Sequence, residues 1–266
     1  MGIVNINDDS FCGDGSLDPQ QAIMLAGQQL REGAEIIDVG AESARTNRGP
    51  ISVEEEVARL RPFIEAFPEI ANAAGMPEAM LSVNTWRAEV VKQVLPLGVD
   101  LLNDMGALPE ASNAGYCAEH GTALLIMHSV GQPKQPHRGE HYPDVVREVE
   151  EFFTRKLQLA ENAGLERDRI VLDPGIDFAK DRDDNLQLLR ELNRLTALQR
   201  PILLPVSRKT VIGEVLDLEN PLDRDPGTIA CAVTGIMRGA AILRVHNVAA
   251  TISAVKVIDP ITSNRN

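Results

Sequence analysis

Short apolar runs, each ending in a polar or charged residue and each followed by a stretch with helical spacing, recur about eight times along the chain. They span residues 2–5, 35–40, 80–84, 100–104, 123–128, 169–173, 202–207 and 241–246. Continuous apolar runs bounded by turn signals suit strands buried on both faces, and their alternation with helices suits a parallel sheet. Eight such units close into a (β/α)8 TIM barrel, an α/β fold, here read as a single domain over residues 1–266. In that architecture the C-terminal strand ends share one mouth, which would collect Asn5, Asp38, Asn84, Asn103, Asp173, Lys209, Arg244 and His246.

The helical stretches carry their own start and stop signals. Residues 18–32 open on Asp18-Pro19 and space Ala22, Leu25, Ala26 and Leu30 at three and four before Gly33. Residues 52–67 begin with Ser52 and Glu55 at capping-box spacing, followed by Val53, Val57, Leu60 and Ile64 on one face. The segments 88–97, 111–121, 142–164, 184–197 and 226–239 repeat the scheme. The loops 6–17 and 41–50 are long for strand-to-helix connections and rich in Asn, Asp, Gly and Ser, which marks them as candidate lids. A third loose segment, 131–142, holds His137 and His141, but Pro136 and Gly139 oppose a helix there and no third ligand is close in sequence, so zinc is not expected.

Composition narrows the function classes by exclusion. The net charge of -13 without a basic stripe argues against nucleic acid or an anionic membrane as partner, so an anionic ligand needs a local cationic cluster. Cys12, Cys117 and Cys231 are scattered and odd in number, which suits packing in a reducing cytoplasm rather than a disulfide framework. With no leader pattern and no bilayer-length apolar run, a soluble cytoplasmic protein is expected.

Asp173 ends the run Ile170-Val171-Leu172 and precedes Pro174-Gly175. A carboxylate there can accept from two parallel N–H donors, such as the amino-amide edge of a pterin or guanine-like ring, or can cap the turn it begins. Asn84 and Asn103 end neighbouring runs and each can donate and accept, so the three frame a flat heterocycle. Lys209, within Ser207-Arg208-Lys209-Thr210, joins Arg244 and His246, which alternation puts on one face, as a cluster able to neutralise a di- or polyphosphate. Phosphate binding near the last two strands is a recurrent use of this barrel.

Taken in order, Gly2-Ile3-Val4-Asn5, Asp9-Ser10-Phe11, Gly33 through Gly40 with Glu42-Ser43, Asn103-Asp104, Met127-His128, Asp173-Pro174-Gly175 with Phe178 and Lys180, Ser207-Arg208-Lys209 and Arg244-Val245-His246 resemble the dihydropteroate synthase family over essentially the whole chain. The resemblance implies a folate-pathway transferase that joins 6-hydroxymethyl-7,8-dihydropterin diphosphate to 4-aminobenzoate and releases diphosphate with Mg²⁺. By motif, the pterin falls to Asn84, Asn103, Asp173 and Lys209, packed by Met105 and Met127, and the diphosphate to Asn5, Arg45, Arg244 and His246, with Asn5 also near the metal. The 4-aminobenzoate falls to Phe11, Phe178 and Lys209 with its carboxylate at Thr210, and Asp173, Lys209, Arg244 and His246 carry the catalysis. Sulfonamide binding and a homodimer through late helices, where residues 228–237 are apolar, follow from the same resemblance.

The chain also departs from that family. Asn84 stands where a carboxylate is usual, and losing one unit charge about 5 Å from a developing cation removes roughly 3 kcal/mol of gross Coulomb energy at an effective dielectric of ~20. Binding retained with a weakened chemical step is therefore expected. The first loop reads Asn5-Ile6-Asn7-Asp8-Asp9, Ala44 and Thr46 alter the second, Asp177 replaces a glycine, and Thr210 replaces a serine while keeping its hydroxyl. Two other readings share the barrel: a catalytically silent pterin-binding paralogue, favoured by Asn84, and a pterin-dependent methyltransferase, which has no use for the cationic cluster.

Overall fold

The computed structural model describes residues 1–7, 15–42, 49–131, 133–134 and 142–262. Among them are eight strands: β1 (Gly2–Asn5), β2 (Ile36–Gly40), β3 (Met80–Asn84), β4 (Leu101–Asp104), β5 (Ala123–Met127), β6 (Ile170–Asp173), β7 (Ile202–Leu204) and β8 (Ala240–Leu243). They pair in parallel in chain order. A parallel bridge between Gly2 and Val245 brings the far edge back to β1, with Val245 N–H donating to Met1 O at 3.0 Å. The arrangement is TIM-barrel-like.

Strand alternation separates two apolar layers. Leu101, Leu125, Met127 and Leu203 pack together, with Val171 and Ile242 against them. Their sequence neighbours Leu102, Leu124, Ile126, Leu172, Ile202 and Leu204 belong instead to the larger core. Side chains of one parity thus fill the barrel and those of the other meet the helices. Two residues on from Leu101, Val171 and Ile242, the inner parity reaches Asn103, Asp173 and Arg244, so polar groups crown an apolar barrel floor.

The surrounding helices are α1 (Pro19–Arg31), α2 (Val53–Ala73), α3 (Ala88–Val94), α4 (Ser112–His120), α5 (Val145–Asn162), α6 (Arg182–Arg190), α7 (Thr210–Leu216), α8 (Asp225–Met237) and α9 (Val248–Thr262). Their starts are chemically marked. Asp18 accepts from Gln20 N–H, Ser52 from Glu55 N–H, Asp144 from Arg147 N–H, and Asp181 with Asp184 closes a capping box. No helix among the described residues is long and apolar enough to cross a membrane.

Several sequence expectations need correction. The second helix continues through Pro68 to Ala73, because burial of Phe67, Ile70 and Ala71 outweighs the one backbone bond that proline forfeits. The stretch 184–197 is α6 followed by a 3-10 turn, Leu192–Leu198. Two helices fall outside the stretches bounded from the sequence: α7, after β7, and α9, after β8. Strand β7 stops at Leu204 and β8 at Leu243, so Ser207, Arg244 and His246 lie beyond the strands rather than within them.

Candidate active site

Register sets the rim of the mouth. Asn5 pairs with Gly40, Gly40 with Asn84, and Asn84 with Asn103, so three amides and a glycine stand side by side on four strands. A Cβ on Gly40 would come within 3.3 Å of Asn84 Cβ, and the glycine leaves that space open. On the facing strands Met127 pairs with Asp173.

Beneath the rim, fully buried Asp38 gathers three donors from three other parts of the barrel. Ser82 Oγ of β3 donates to its Oδ1 at 2.6 Å, Asn103 Nδ2 of β4 to its Oδ2 at 3.0 Å, and Arg244 Nε beyond β8 to the same Oδ2 at 2.7 Å. Sequence reading had Asp38 only as a strand-end residue. The signal for more was a lone carboxylate inside the apolar run Ile36-Ile37-Asp38-Val39.

Asn84 and Asn103 keep acceptors in reserve. Asn84 Nδ2 lies 2.8 Å from Met105 Sδ, while Asn84 Oδ1 and Asn103 Oδ1 are buried and lack a hydrogen-bond partner among the described residues. Buried acceptors of that kind await a donor from something bound between them. Asp173 Oδ1 accepts from Gly175 N–H at 2.7 Å, so the carboxylate does cap its own turn. Burial raises its pKa to about 6, against the pull of that N–H and the charges of Lys209, Arg244 and Lys180.

Past β7 the chain turns sharply. Arg208 has φ 58, its N–H donates to Thr228 Oγ1 at 2.9 Å, and its guanidinium pairs with Asp225 at 2.7 Å. Buried Arg224 braces the same turn through backbone carbonyls: Leu218 O, Glu219 O, Arg208 O at 3.1 Å and Lys209 O at 3.4 Å. That bracing aims Lys209 Nζ over the Phe178 ring, 4.5 Å from its centroid. His246 Nδ1 lies 2.8 Å from Ser207 Oγ, which ties the turn after β7 to the segment after β8.

Known proteins share both this sequence and this fold. The family described as "Pterin binding enzyme" matches residues 1–246. A dihydropteroate synthase of Escherichia coli (strain K12) is 36% identical over 97% of this chain and 90% of its own length. The chain belongs to the dihydropteroate synthase family. Among solved structures, a Yersinia pestis dihydropteroate synthase with a sulfonamide drug superposes with a TM-score of 0.90 at 34% identity, covering 98% of this chain and 92% of that one. A Xanthomonas albilineans dihydropteroate synthase in complex with 7,8-dihydropteroate superposes with a TM-score of 0.85 at 36% identity, covering 99% of this chain and 93% of that one.

The loop after β6 is built around Lys180. Its ammonium donates to Gly175 O and Phe178 O, both at 3.0 Å, and lies 2.7 Å from His128 Nδ1. Burial lowers the Lys180 pKa to about 7, and burial plus the Lys180 charge push His128 well below its ordinary range. The imidazole therefore serves as a neutral acceptor, held edge-on by Phe152.

Of the residues that the resemblance to dihydropteroate synthases singled out, Asn5, Asn84, Asn103 and Asp173 stand at or next to strand ends, Arg244 lies one residue past β8, and Met127 lies in the inner apolar cluster with Met105 and Phe178 against it. Asp104 differs from its neighbour Asn103: it has outward parity, accepts from Asn113 Nδ2 and Gly106 N–H, and is lifted by burial to about 6. Phe11, Arg45, His137 and His141 lie outside the described residues. Lys180, Arg224 and Asp38 are the site-shaping residues that sequence reasoning left without a role.

Proposed function

We propose that this chain condenses 6-hydroxymethyl-7,8-dihydropterin diphosphate with 4-aminobenzoate to give 7,8-dihydropteroate and diphosphate. The observation that carries the reading is the inward frame of Asn84, Asn103 and Asp173, with the cations Lys209 and Arg244 close enough to act on the Asp173 carboxylate. The pterin would lie in that frame, its amino-amide edge on the Asp173 carboxylate and its ring nitrogens on Asn103 and Asn84. Met105 and Met127 would pack its faces, and Lys209 would reach it from the side of Phe178.

Chemistry then needs the C–O bond to the diphosphate to break with its electron pair leaving on oxygen. Arg244, with Arg45, His246 and Asn5, would neutralise the leaving group, and Asp38 would hold the Arg244 guanidinium in place beforehand. The amine lone pair of 4-aminobenzoate forms the new C–N bond at the methylene carbon, and its proton leaves to solvent or to the departing diphosphate. The ring of 4-aminobenzoate would stack near Phe178 and Lys209, with its carboxylate at Thr210.

No group of three or more His, Cys, Asp or Glu able to hold a metal occurs among the described residues. Asn5 carries a hard side-chain oxygen and would hold a Mg²⁺ ion brought in on the diphosphate. Such an ion, when bound, supplies charge neutralisation on the leaving group.

We further propose a cytoplasmic homodimer. The free thiols Cys117 and Cys231 suit a reducing compartment, and the exposed apolar side chains Val215, Leu216, Met237, Val257 and Ile261 on α7, α8 and α9 suit a self-associating face. A monomer at micromolar concentration in sedimentation equilibrium would remove the dimer.

The activity is tested by following diphosphate release from the dihydropterin diphosphate with Mg²⁺, with and without 4-aminobenzoate. Release that depends on 4-aminobenzoate and yields dihydropteroate is expected. Pterin binding without release would instead make the chain a silent pterin-binding paralogue.

A further inference from the structure

The carboxylate of Asp177 turns back onto the segment that follows Lys209. One oxygen accepts from Thr210 N–H and the other from Val211 N–H, the latter at 3.2 Å. Asn185 holds Asp177 from behind, accepting from its N–H at 2.9 Å and donating to its Oδ1 at 3.3 Å. Asp177 has φ 66, a left-handed conformation that glycine enters freely and an L residue at a cost. Its immediate neighbour is Phe178, whose ring lies under Lys209 Nζ.

The proposed function puts the carboxylate of 4-aminobenzoate at Thr210, and on that reading we propose that Asp177 is a specificity-determining residue for the second substrate. Its carboxylate already takes the N–H donors of Thr210 and Val211, so an anionic arylamine must displace it or bind against its charge. A neutral arylamine meets neither obstacle. The positive Lys209, close to the same place, attracts both the resident and the incoming carboxylate and so does not decide between them. Asp177 therefore narrows the margin by which this site prefers 4-aminobenzoate over an uncharged analogue of the same shape, a discrimination made by repulsion rather than by a missing contact.

The test compares the unaltered protein with Asp177→Gly and Asp177→Asn, at saturating dihydropterin diphosphate and Mg²⁺. The varied arylamine is 4-aminobenzoate or neutral 4-aminobenzamide, the latter followed as substrate or as competitor. Glycine suits the backbone angle and removes the carboxylate, whereas asparagine keeps the shape and removes the charge. The KM for 4-aminobenzoate should fall about three- to tenfold in Asp177→Gly, as expected for relief of one solvent-screened charge contact, with kcat moving less than KM. The constant for 4-aminobenzamide should hold. Asp177→Asn should follow Asp177→Gly, and a smaller fall there also supports the proposal, because asparagine still offers one oxygen to the same N–H groups.

A role in folding alone would shift both arylamines together. An unchanged or raised KM for 4-aminobenzoate in Asp177→Gly, or an equal shift for the two arylamines, overturns the inference and leaves the proposed function standing. Absence of arylamine-dependent release in all three proteins overturns the proposed function and the inference with it.

Discussion

Arg244 and Asp38 meet across β1: both Nε and Nη2 of the arginine lie 2.7 Å from a single oxygen, Oδ2, of a fully buried aspartate. The aspartate also receives Ser82 and Asn103, so the guanidinium is one spoke of a charge-assisted network. Asp38→Asn keeps the shape and removes the charge, leaving Arg244 without its counter-ion. Stability should drop by about 2–4 kcal/mol, somewhat under the value for a fully buried pair. Activity should fall at least about tenfold, with the loss in kcat as well as KM for the diphosphate substrate, because a drifting Arg244 stabilises the leaving group less. Thermal melts and steady-state kinetics together check this, and an active Asp38→Asn enzyme with an intact Tm would refute it.

Asn84 offers a test in the opposite direction. Restoring a carboxylate with Asn84→Asp should raise kcat by about ten- to a hundredfold through support of positive charge developing on the pterin, with pterin affinity changing little. The variant gives up the Asn84 Nδ2 contact to Met105 Sδ, so a small loss of stability should accompany the gain. A kcat that stays flat would mean that charge at this position does not limit the reaction.

Asp173 should confer a pH dependence. Its pKa is raised by burial to about 6, and on the proposed binding mode the pterin edge would need the ionised form as acceptor. Affinity for an unphosphorylated 6-hydroxymethylpterin, measured by calorimetry so that the diphosphate does not titrate, should therefore fall as pH drops through about 6. Stability runs the other way. A carboxyl whose folded pKa exceeds its unfolded value of about 3.9 binds its proton more tightly when folded. Asp173, and Asp104 with its own pKa of about 6, thus impose no penalty at low pH and a full one above pH 6. Denaturant midpoints in Asp173→Asn should lose part of that slope between pH 4 and pH 6.

Arg224 spends its donors on main-chain oxygens, two of them the carbonyls of Arg208 and Lys209. Arg224→Lys offers fewer donors in a different geometry and should lower both Tm and kcat/KM, the latter about tenfold, as Lys209 loses its aim. Gly213→Ala reaches the same result from the other side, because a Cβ there falls 2.6 Å from the Arg224 guanidinium. If Gly213→Ala is fully active, the bracing role is wrong.

What could be read in advance follows from the range of the interactions. The strand runs and the inward Asn84, Asn103 and Asp173 depend on local alternation and on turn residues, which any short window of the chain displays. The Asp38 hub depends on pairing between residues 206 apart, and no periodicity announces it. Helix α7 is similar: its seven residues, Thr-Val-Ile-Gly-Glu-Val-Leu, include β-branched positions and a glycine, and its first N–H groups are satisfied by Asp177 from a different loop. Helix α2 runs on past residue 67 through Pro68, and the tertiary burial of Phe67, Ile70 and Ala71, which no local window displays, offsets the backbone bond that the proline forfeits.

The meeting of Gly2 with Val245 has a bearing on how competence is acquired. With β8 detached, the amides of β3 and β4 and the acid of β6 would still stand together, yet Arg244 and His246 would be elsewhere. On the proposed roles of Arg244 and His246, a ring left open by one strand would be a receptor without a reaction, and turnover would wait until the last segment of the chain settles against the first.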